Sequence, residues 1–370
     1  MRHLKKTILM TAATAAAWIS VRGAQLTRPE PRAVDIAPGI VLFVTPPYGE
    51  VGLDGNALAV VSTDGVLVFD ANGTPSAAAG VLAAIRKLTD QPVRYLVLSH
   101  WHWDHWYGAQ VYKDAFPDIK IVAHEKTRTM MAGPAIEFNR PGLESGLPGY
   151  VKTLEQKLAA ARATDAASPA AAALAERLEM ARFFLEQKSG VRHTLPDVTF
   201  KDRLDVTMGE RRIQILNYGR AVTPGDAFIY LPAERVLATG DLLVNPISFA
   251  LSCYPTEWVE TLNKLDALEA AVIVPGHGLP LRDKTLLHAT RDLFRELLRR
   301  GREAKANGLD VDAARDAMLP DLQALKTRIT GGDASLDAPF RTQLVDWYLH
   351  RVYDELDGPL TDAIAPIPSK

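Results

Sequence analysis

Four residues that commonly bind metal ions, His100, His102, Asp104 and His105, lie within six consecutive positions. The whole chain has nine histidines in 370 residues, so their concentration here indicates one shared role. Imidazole nitrogens and carboxylate oxygens are good ligands for Zn²⁺. A lone histidine is usually an ordinary polar residue, but a quartet with this spacing predicts a metal site.

The quartet directly follows a predicted strand. Residues 93–98 form a short apolar run of the length typical of a buried strand. Alternation along an extended chain directs His100 and His102 to the same side. A further short apolar run at 119–123 predicts a neighbouring strand, after a helix at 108–115. These elements are expected to hold the four side chains around one cavity.

The segments before the quartet predict a β-meander followed by a helix. An Ala-rich amphipathic pattern predicts the helix over 74–88, with Thr74 or Ser76 as its N-cap and Pro75 in its first turn. Strand, helix and strand in succession favour an α/β layered fold. The strands of the meander are separated by Gly, Asp and Pro and are predicted at 40–45, 56–62 and 66–70.

The pattern His100-x-His102-x-Asp104-His105 resembles the signature of the metallo-β-lactamase superfamily. The resemblance extends over most of residues 39–285. It implies an α/β fold, a four-layer αββα sandwich whose active site lies at one edge of two facing sheets. Elements beyond that fold then form a helical insertion and a helical C-terminal extension.

Two later motifs agree with this resemblance in order and context. Asp241 lies in Thr-Gly-Asp-Leu-Leu directly after a predicted strand, and His277 lies in Pro-Gly-His-Gly after another. Taken alone, Asp241 could be a helix cap and His277 a turn residue. In the family, the corresponding segments supply an aspartate that bridges two metals and the last histidine. The resemblance therefore implies one or two Zn²⁺ per chain, bound by His100, His102, Asp104, His105, Asp241 and His277.

One family ligand is missing from this sequence. The family usually has a histidine before its Thr-Pro-Gly-Asp turn, and this chain has Val222 there. An isopropyl group has no lone pair, so the first metal site keeps only His100 and His102 of its usual three nitrogens. Arg220 cannot act as a ligand and Asp226 is normally a turn residue, so neither is an obvious substitute. The first site is expected to be weakened.

The second site of the family is complete, with Asp104, His105 and His277, and Asp241 can complete this set instead of bridging. A Zn²⁺ ion with an open position lowers the pKa of bound water from 15.7 to about 7, which favours hydrolysis. Asp104 is the residue predicted to position or deprotonate the water. Unligated His100 and His102 are the alternatives, because imidazole titrates near ~6.5.

These observations predict a metal-dependent hydrolase that uses a zinc-activated water on an ester, lactone, amide or β-lactam type bond of a small molecule. It would act with two zincs or with a single zinc in the second site. Because Val222 removes a ligand, a non-catalytic metal- or ligand-binding protein on the same fold is the alternative. An iron oxidoreductase would need extra carboxylate ligands or a flavin domain, and iron in the purified protein would reveal it.

The remaining segments predict the domain organisation. The metallo-β-lactamase-like domain is predicted over 33–285, and a helical C-terminal extension follows over 286–370. Residues 125–190, rich in Ala, Glu, Lys and Arg, predict an inserted helical hairpin that could cover the site as a lid. A second α/β half is expected to begin near residue 198. Four aromatic residues could pack the sheet edge or form an apolar substrate wall: Trp101, Trp103, Trp106 and Tyr107.

The N-terminus has the pattern of an export signal. Basic residues at positions 2, 3, 5 and 6 precede a mostly apolar run at 7–19, which is too short to span a bilayer. Small residues at Gly23 and Ala24 suit cleavage, so a signal peptide is predicted over 1–24. An uncleaved amphipathic start or an anchor is the alternative. The mature protein is expected to be periplasmic or secreted, without stable membrane insertion.

Composition restricts the remaining function classes. Hydrophobic residues make up 47% and charged residues 23% of the chain, as in ordinary globular proteins. The formal net charge of −2 provides no general attraction for nucleic acid, so no nucleic-acid partner is predicted. A single cysteine, Cys253, excludes an intramolecular disulfide. Nothing in the sequence determines the oligomeric state.

Overall fold

The computed structural model describes residues 30–368. Within this range, β-strands form two sheets. The first sheet has seven strands in the order β1 to β7, and the second has five in the order β12-β11-β10-β9-β8. The strands are β1 Arg32–Ala37, β2 Ile40–Val44, β3 Ala57–Ser62, β4 Gly65–Phe69, β5 Val93–Val97, β6 Lys120–His124, β7 Val198–Phe200, β8 Arg203–Met208, β9 Arg211–Leu216, β10 Phe228–Leu231, β11 Val236–Gly240 and β12 Val272–Pro275.

Helices connect these strands and continue beyond them. Short 3-10 and π-helical turns interrupt the later ones. The α-helices are α1 Pro75–Leu88, α2 Trp103–Trp106, α3 Ala109–Ala115, α4 Glu125–Met131, α5 Pro134–Pro141, α6 Leu147–Asp165, α7 Pro169–Ser189, α8 Pro255–Asp266, α9 Thr285–Ala306, α10 Val311–Met318, α11 Gln323–Thr330, α12 Asp337–Pro339 and α13 Trp347–Asp357.

The two sheets pack face to face, and helices cover both outer faces. Strand β4 illustrates the layers: Leu67 and Phe69 lie in the cluster between the sheets, whereas Val66 and Val68 lie in the cluster shared with α1 and α3. Because both faces of such a strand are buried, its sequence is a continuous apolar run. The predicted four-layer αββα sandwich is confirmed.

The first sheet combines a meander with parallel crossovers. Strands β1 to β4 pair antiparallel in succession, and β4, β5, β6 and β7 then pair in parallel. Helix α1 makes the first crossover. Its N-cap is Thr74, whose hydroxyl accepts a hydrogen bond from the Ala77 amide, and Pro75 begins the helix, as predicted.

Two expectations about organisation are corrected. Residues 198–200 do not begin a second α/β half, because β7 pairs in parallel with β6 as the edge strand of the first sheet. The second sheet begins only at β8. The insertion is also more than a hairpin: α4 and α5 precede the long antiparallel pair α6 and α7.

The C-terminal helices form the fourth layer of the sandwich. Helices α8, α9 and α13 pack on the outer face of the second sheet in one continuous apolar cluster, which includes Phe228, Trp258, Phe294 and Tyr348. The rings of Phe294 and Tyr348 stack with centroids 4.3 Å apart. The segment predicted as an extension thus completes the core of the second half.

The predicted signal peptide over 1–24 lies outside the described residues. Among helices of the described part, none is long and apolar enough to cross a membrane.

Candidate metal centre

Three strand ends bring the predicted ligands together at one edge of the sandwich. His100 follows β5 closely, Asp241 directly follows β11, and His277 comes shortly after β12. Asp104 and His105 lie on the short helix α2, which begins just beyond β5. Since the carboxyl ends of these strands meet at the same edge, residues distant in sequence converge there.

Four ligand atoms form a compact cluster. His105 Nε2 lies 3.2 Å from His277 Nε2, 3.5 Å from Asp104 Oδ2 and 3.3 Å from Asp241 Oδ1. His277 Nε2 lies 3.0 Å from Asp104 Oδ2 and 3.5 Å from Asp241 Oδ1. We call this group, Asp104, His105, Asp241 and His277, the four-ligand site.

The spacing of the four-ligand site fits one zinc ion. Zinc bonds to histidine nitrogen and carboxylate oxygen are about 2.0–2.1 Å long, so tetrahedral ligand atoms lie about 3.3 Å apart. The ligand atoms of Asp104, His105 and His277 lie 3.0–3.5 Å from one another, so they fit three corners of a tetrahedron and leave the fourth for water. Asp104 and His277 are partly exposed, whereas His105 is fully buried. The donor set therefore fits the metal that the resemblance implies, with access from one side.

The first metal site is less complete. His100 Nε2 is buried without a hydrogen-bond partner, 3.7 Å from Asp241 Oδ2. The His102 ring lies edge-on to His100, with centroids 4.5 Å apart. Among the described residues, His100 groups with His105 and Asp241, whereas Asp104 groups with His105 and His277, and His102 belongs to neither group. Val222 is buried in the apolar cluster of the second sheet and supplies no donor.

The two polar neighbours of Val222 are engaged elsewhere. Arg220 donates to the Glu257 carboxylate and lies 4.2 Å from the centroid of the Tyr254 ring. Asp226 accepts hydrogen bonds from the Thr223 amide at 2.9 Å and the Thr223 hydroxyl at 2.8 Å. Neither therefore takes the place of the missing histidine.

Asp70, which the sequence did not single out, orients His105 through the ring nitrogen that does not face the metal position. Its Oδ2 lies 2.8 Å from His105 Nδ1, and its two oxygens accept from the Ser99 amide and hydroxyl. The Ser99 hydroxyl also lies 2.8 Å from His100 Nδ1. Held in this way, His105 presents Nε2 to the metal position. The sequence feature that could have indicated this role is the position of Asp70 directly after β4, which pairs in parallel with β5.

Two glycines allow the close approach that the cluster requires. A Cβ on Gly276 would lie 2.0 Å from Asp241 Oδ1, and one on Gly55 would lie 2.5 Å from His105 Cε1. Asn56 holds the same two loops together, because its side-chain amide donates to the carbonyls of Pro275 and Gly278 at 2.9 Å each. The sequence alone gave no reason to select these residues.

The electrostatics of the cluster favour a cation. Burial by itself lowers the pKa of His105 and of His277, but the carboxylates of Asp241 and Asp104 outweigh burial and raise both. Burial raises the pKa of Asp104, yet His105 and His277 bring it below its usual range. In contrast, burial lowers the pKa of His102 to about 4. The carboxylates thus favour positive charge at these two histidines, which a bound metal ion would supply in place of protons.

The aromatic residues around the quartet divide into two groups. Trp101, Trp106 and Tyr107 are buried in the core of the first sheet, as the packing interpretation expected. Trp103 is only partly buried and faces the insertion, where its ring lies 5.7 Å from that of Phe184. On the other side of the site, the His102 ring contacts Phe249 with centroids 5.6 Å apart. Aromatic walls therefore flank the quartet.

Residues outside the proposed site occupy ordinary structural positions. His124 caps α4, since its Nδ1 accepts from the Lys126 amide at 3.2 Å. His193 is exposed and lies against Trp106 and Tyr107. Cys253 is a buried free thiol.

The fold and the ligand cluster agree with a family-level match. The model of the metallo-beta-lactamase superfamily matches residues 51–277. The chain belongs to the metallo-beta-lactamase superfamily, whose members are usually metal-dependent hydrolases.

Individual relatives share the fold with low identity. A linear primary-alkylsulfatase from Pseudomonas sp. (strain ATCC 19151) is 26% identical over 254 residues, which covers 63% of this chain and 44% of that protein. The chain thus spans less than half the length of this curated relative. A metallo-beta-lactamase from Pontibacter korlensis is 18% identical with a TM-score of 0.51, covering 72% of this chain and 99% of that one.

A second solved structure gives a similar result. The metallo-beta-lactamase FIM-1 from Pseudomonas aeruginosa in its mono-zinc form is 15% identical, with a TM-score of 0.51. The match covers 74% of this chain and 98% of that one. At these identities the likeness to solved structures shows the fold.

Proposed function

We propose that this protein is a hydrolase that works with a single zinc ion in the four-ligand site. The observation that supports this most directly is the mutual spacing of three ligand atoms, those of Asp104, His105 and His277, at 3.0–3.5 Å, which leaves a position for water on the ion. Two kinds of support for the first site are missing: a third nitrogen at position 222, where Val222 is buried in an apolar cluster, and a substitute from Arg220 or Asp226, which are engaged elsewhere.

The residues of the site have distinct tasks in this proposal. A zinc ion held there supplies a Lewis acid that makes hydroxide available at neutral pH. Asp70 holds the His105 ring so that Nε2 faces the ion. Asp104, whose side chain is 13% exposed, orients a water for attack at the open side. His102 is neutral at neutral pH but is a weak base, because burial lowers its pKa to about 4. His100 holds its place through Ser99.

The proposed substrate is a small molecule with an ester, lactone, amide or β-lactam type bond. Sulfate esters belong in the first test set, because the curated relative is named as a linear primary-alkylsulfatase. The aromatic side chains Trp103 and Phe249 on either side of the quartet support a substrate with an apolar part. The non-catalytic alternative predicts bound metal without turnover.

Elemental analysis of protein purified without chelator tests the proposal together with a substrate panel. We expect one zinc per chain and hydrolysis of at least one of a 4-nitrophenyl ester, a lactone, a β-lactam and an alkyl sulfate. Two zincs per chain would contradict the single-metal arrangement. One zinc with no turnover of any member of the panel would favour the non-catalytic alternative.

A matched pair of histidine variants links metal to activity. His277→Ala removes one ligand from the four-ligand site and is expected to lose both zinc and turnover. His288→Ala is the control, since His288 lies on α9 and pairs with Asp266 at 2.9 Å. Full zinc content in His277→Ala would show that the four-ligand site is wrongly assigned.

Export to the periplasm or medium is a separate part of the proposal. It is supported by the basic and apolar pattern of residues 1–24. Mass measurement of the mature protein from its native host, after cell fractionation, tests it. A full-length protein in the cytoplasmic fraction would contradict it.

A further inference from the structure

A cavity of about 970 Å³ lies between the insertion and helix α2. Its volume is at the upper end of the range of about 300–1,000 Å³ that is typical of small-molecule sites. None of the six predicted metal ligands lines it, but Trp103 does, and Asp104 is the next residue. The apolar lining comes mainly from Val51, Trp103, Tyr107, Ile136, Leu147 and Phe184.

The charged residues of this insertion cavity differ in their pairing. Arg177 donates to Glu50, and Arg140 donates to Glu137. Among the described residues, no carboxylate comes within 4 Å of Lys188 Nζ. This ammonium instead lies over aromatic rings, 3.5 Å from the Trp103 centroid and 4.2 Å from the Tyr107 centroid.

This arrangement suits a ligand with two chemically different parts. The ring faces around the Lys188 ammonium give only modest stabilisation of a half-buried charge. An anionic group beside it would pair with the cation and accept its hydrogen bonds. The aliphatic and aromatic walls would remove an apolar body from water. A neutral or cationic ligand would gain the burial of its apolar body but not the pairing with Lys188.

We propose that the insertion cavity binds a small amphiphilic organic anion, whose anionic group pairs with Lys188 and whose apolar body lies among the walls of the cavity. The assignment of this ligand as the substrate rests on the proposed hydrolase function. The link between the cavity and the substrate is the position of Trp103. Its ring borders the cavity, and the adjoining Asp104 belongs to the four-ligand site. The insertion then determines substrate class.

Calorimetric titration of the zinc-loaded full chain with three probes tests the proposal. The probes are 1-octanesulfonate, 1-octanol and octyltrimethylammonium, which share an alkyl chain, cannot be hydrolysed and differ in charge. We expect the sulfonate to bind one site per chain, at least about tenfold more tightly than the alcohol. Equal affinity for all three probes would overturn the role of Lys188.

Three variants locate the binding. Lys188→Gln is expected to lower the affinity for 1-octanesulfonate about tenfold and to leave 1-octanol unchanged. Leu147→Trp fills the cavity and is expected to weaken both. Lys152→Gln is the matched control, because Lys152 is exposed on α6 of the same insertion. If Lys188→Gln and Lys152→Gln bind the sulfonate equally, the site lies elsewhere.

Failure of this proposal is distinguishable from failure of the proposed hydrolase. His277→Ala is expected to lose turnover and keep sulfonate binding, because His277 does not line the cavity. If the wild type hydrolyses an ester but binds no sulfonate, only the cavity proposal is wrong. If it binds the sulfonate but hydrolyses nothing, the cavity proposal stands as a ligand site, and the hydrolase proposal is wrong. In an active enzyme, Lys188→Gln should raise KM for an anionic substrate more than it lowers kcat.

Discussion

In the proposed single-zinc arrangement, Val222 is the residue that limits the number of metal ions. An unpartnered nitrogen on His100 and an oxygen of Asp241 3.7 Å away already provide two donors of the first site. Val222→His is therefore expected to raise the zinc content from one to two per chain. The larger ring enters a buried position, so a cost of about 1–3 kcal/mol in stability is also expected.

Elemental analysis and a thermal melt of Val222→His measure these two effects. Val222→Ala is the matched control, since it changes the same position without adding a donor, and should retain one zinc. A folded Val222→His protein with one zinc per chain would show that this position does not face the first site.

Lys188 gives anion binding a defined pH dependence. Burial lowers its pKa to about 7, although the carboxylates of Asp104 and Asp54 act in the opposite direction. Because the ammonium is present below that pKa and lost above it, the affinity for 1-octanesulfonate should fall about tenfold between pH 6 and 8. The nearby His193 has a pKa lowered by burial and by Lys188.

Titrations with 1-octanesulfonate at several pH values measure this dependence. Lys188→Arg keeps its charge throughout the range and should bind with little change between pH 6 and 8. The same pH dependence in Lys188→Arg as in the wild type would assign the titration to another group.

At the scale of the element, the ring of Phe184 is one of the anchors of helix α7 on the sandwich. Phe184 is buried, with its centroid 4.7 Å from that of Tyr48 and 5.7 Å from that of Trp103. Phe184→Ala is expected to cost about 3–5 kcal/mol locally. The expected result is faster hydrogen exchange in α6 and α7, with little change in the two sheets.

Phe183→Ala provides the comparison for this experiment. The neighbouring Phe183 is only half buried, and its ring lies 6.2 Å from that of Tyr48. Its loss should therefore have a smaller effect on exchange. Equal acceleration throughout the molecule in Phe184→Ala would mean that the insertion does not open separately from the core.

The elements themselves could largely be predicted, because their local patterns agree with the fold. The strand at β5 and the cap at Thr74 follow from apolar periodicity and capping chemistry. The assignment of β7 to the first sheet could not be predicted, since a three-residue strand has no sequence pattern that indicates which strand it pairs with. The role of Asp70 was missed for a similar reason: its contact with His105 is made across 35 positions of sequence.

At the scale of the whole molecule, the C-terminal helices and the second sheet share one core. Helix α13 contributes Tyr348 and Leu349 to the apolar cluster of that sheet. Its first residue, Trp347, packs on Phe249 with ring centroids 4.7 Å apart, and Phe249 contacts His102. The segment predicted as an extension therefore reaches the candidate site, which the sequence boundary at residue 286 did not indicate.

Two leucines on α13 test whether this layer unfolds together with the metal site. Leu349 is fully buried, whereas Leu356 is 41% exposed. Leu349→Ala is expected to lower the free energy of unfolding by about 2–5 kcal/mol, and Leu356→Ala by no more than about 0.5 kcal/mol. Denaturant titrations monitored by tryptophan fluorescence and by zinc release measure both.

Because the core is shared, the two signals should change in a single transition that Leu349→Ala moves to lower denaturant. Zinc release that follows fluorescence in a separate transition would instead make the C-terminal helices an independent domain.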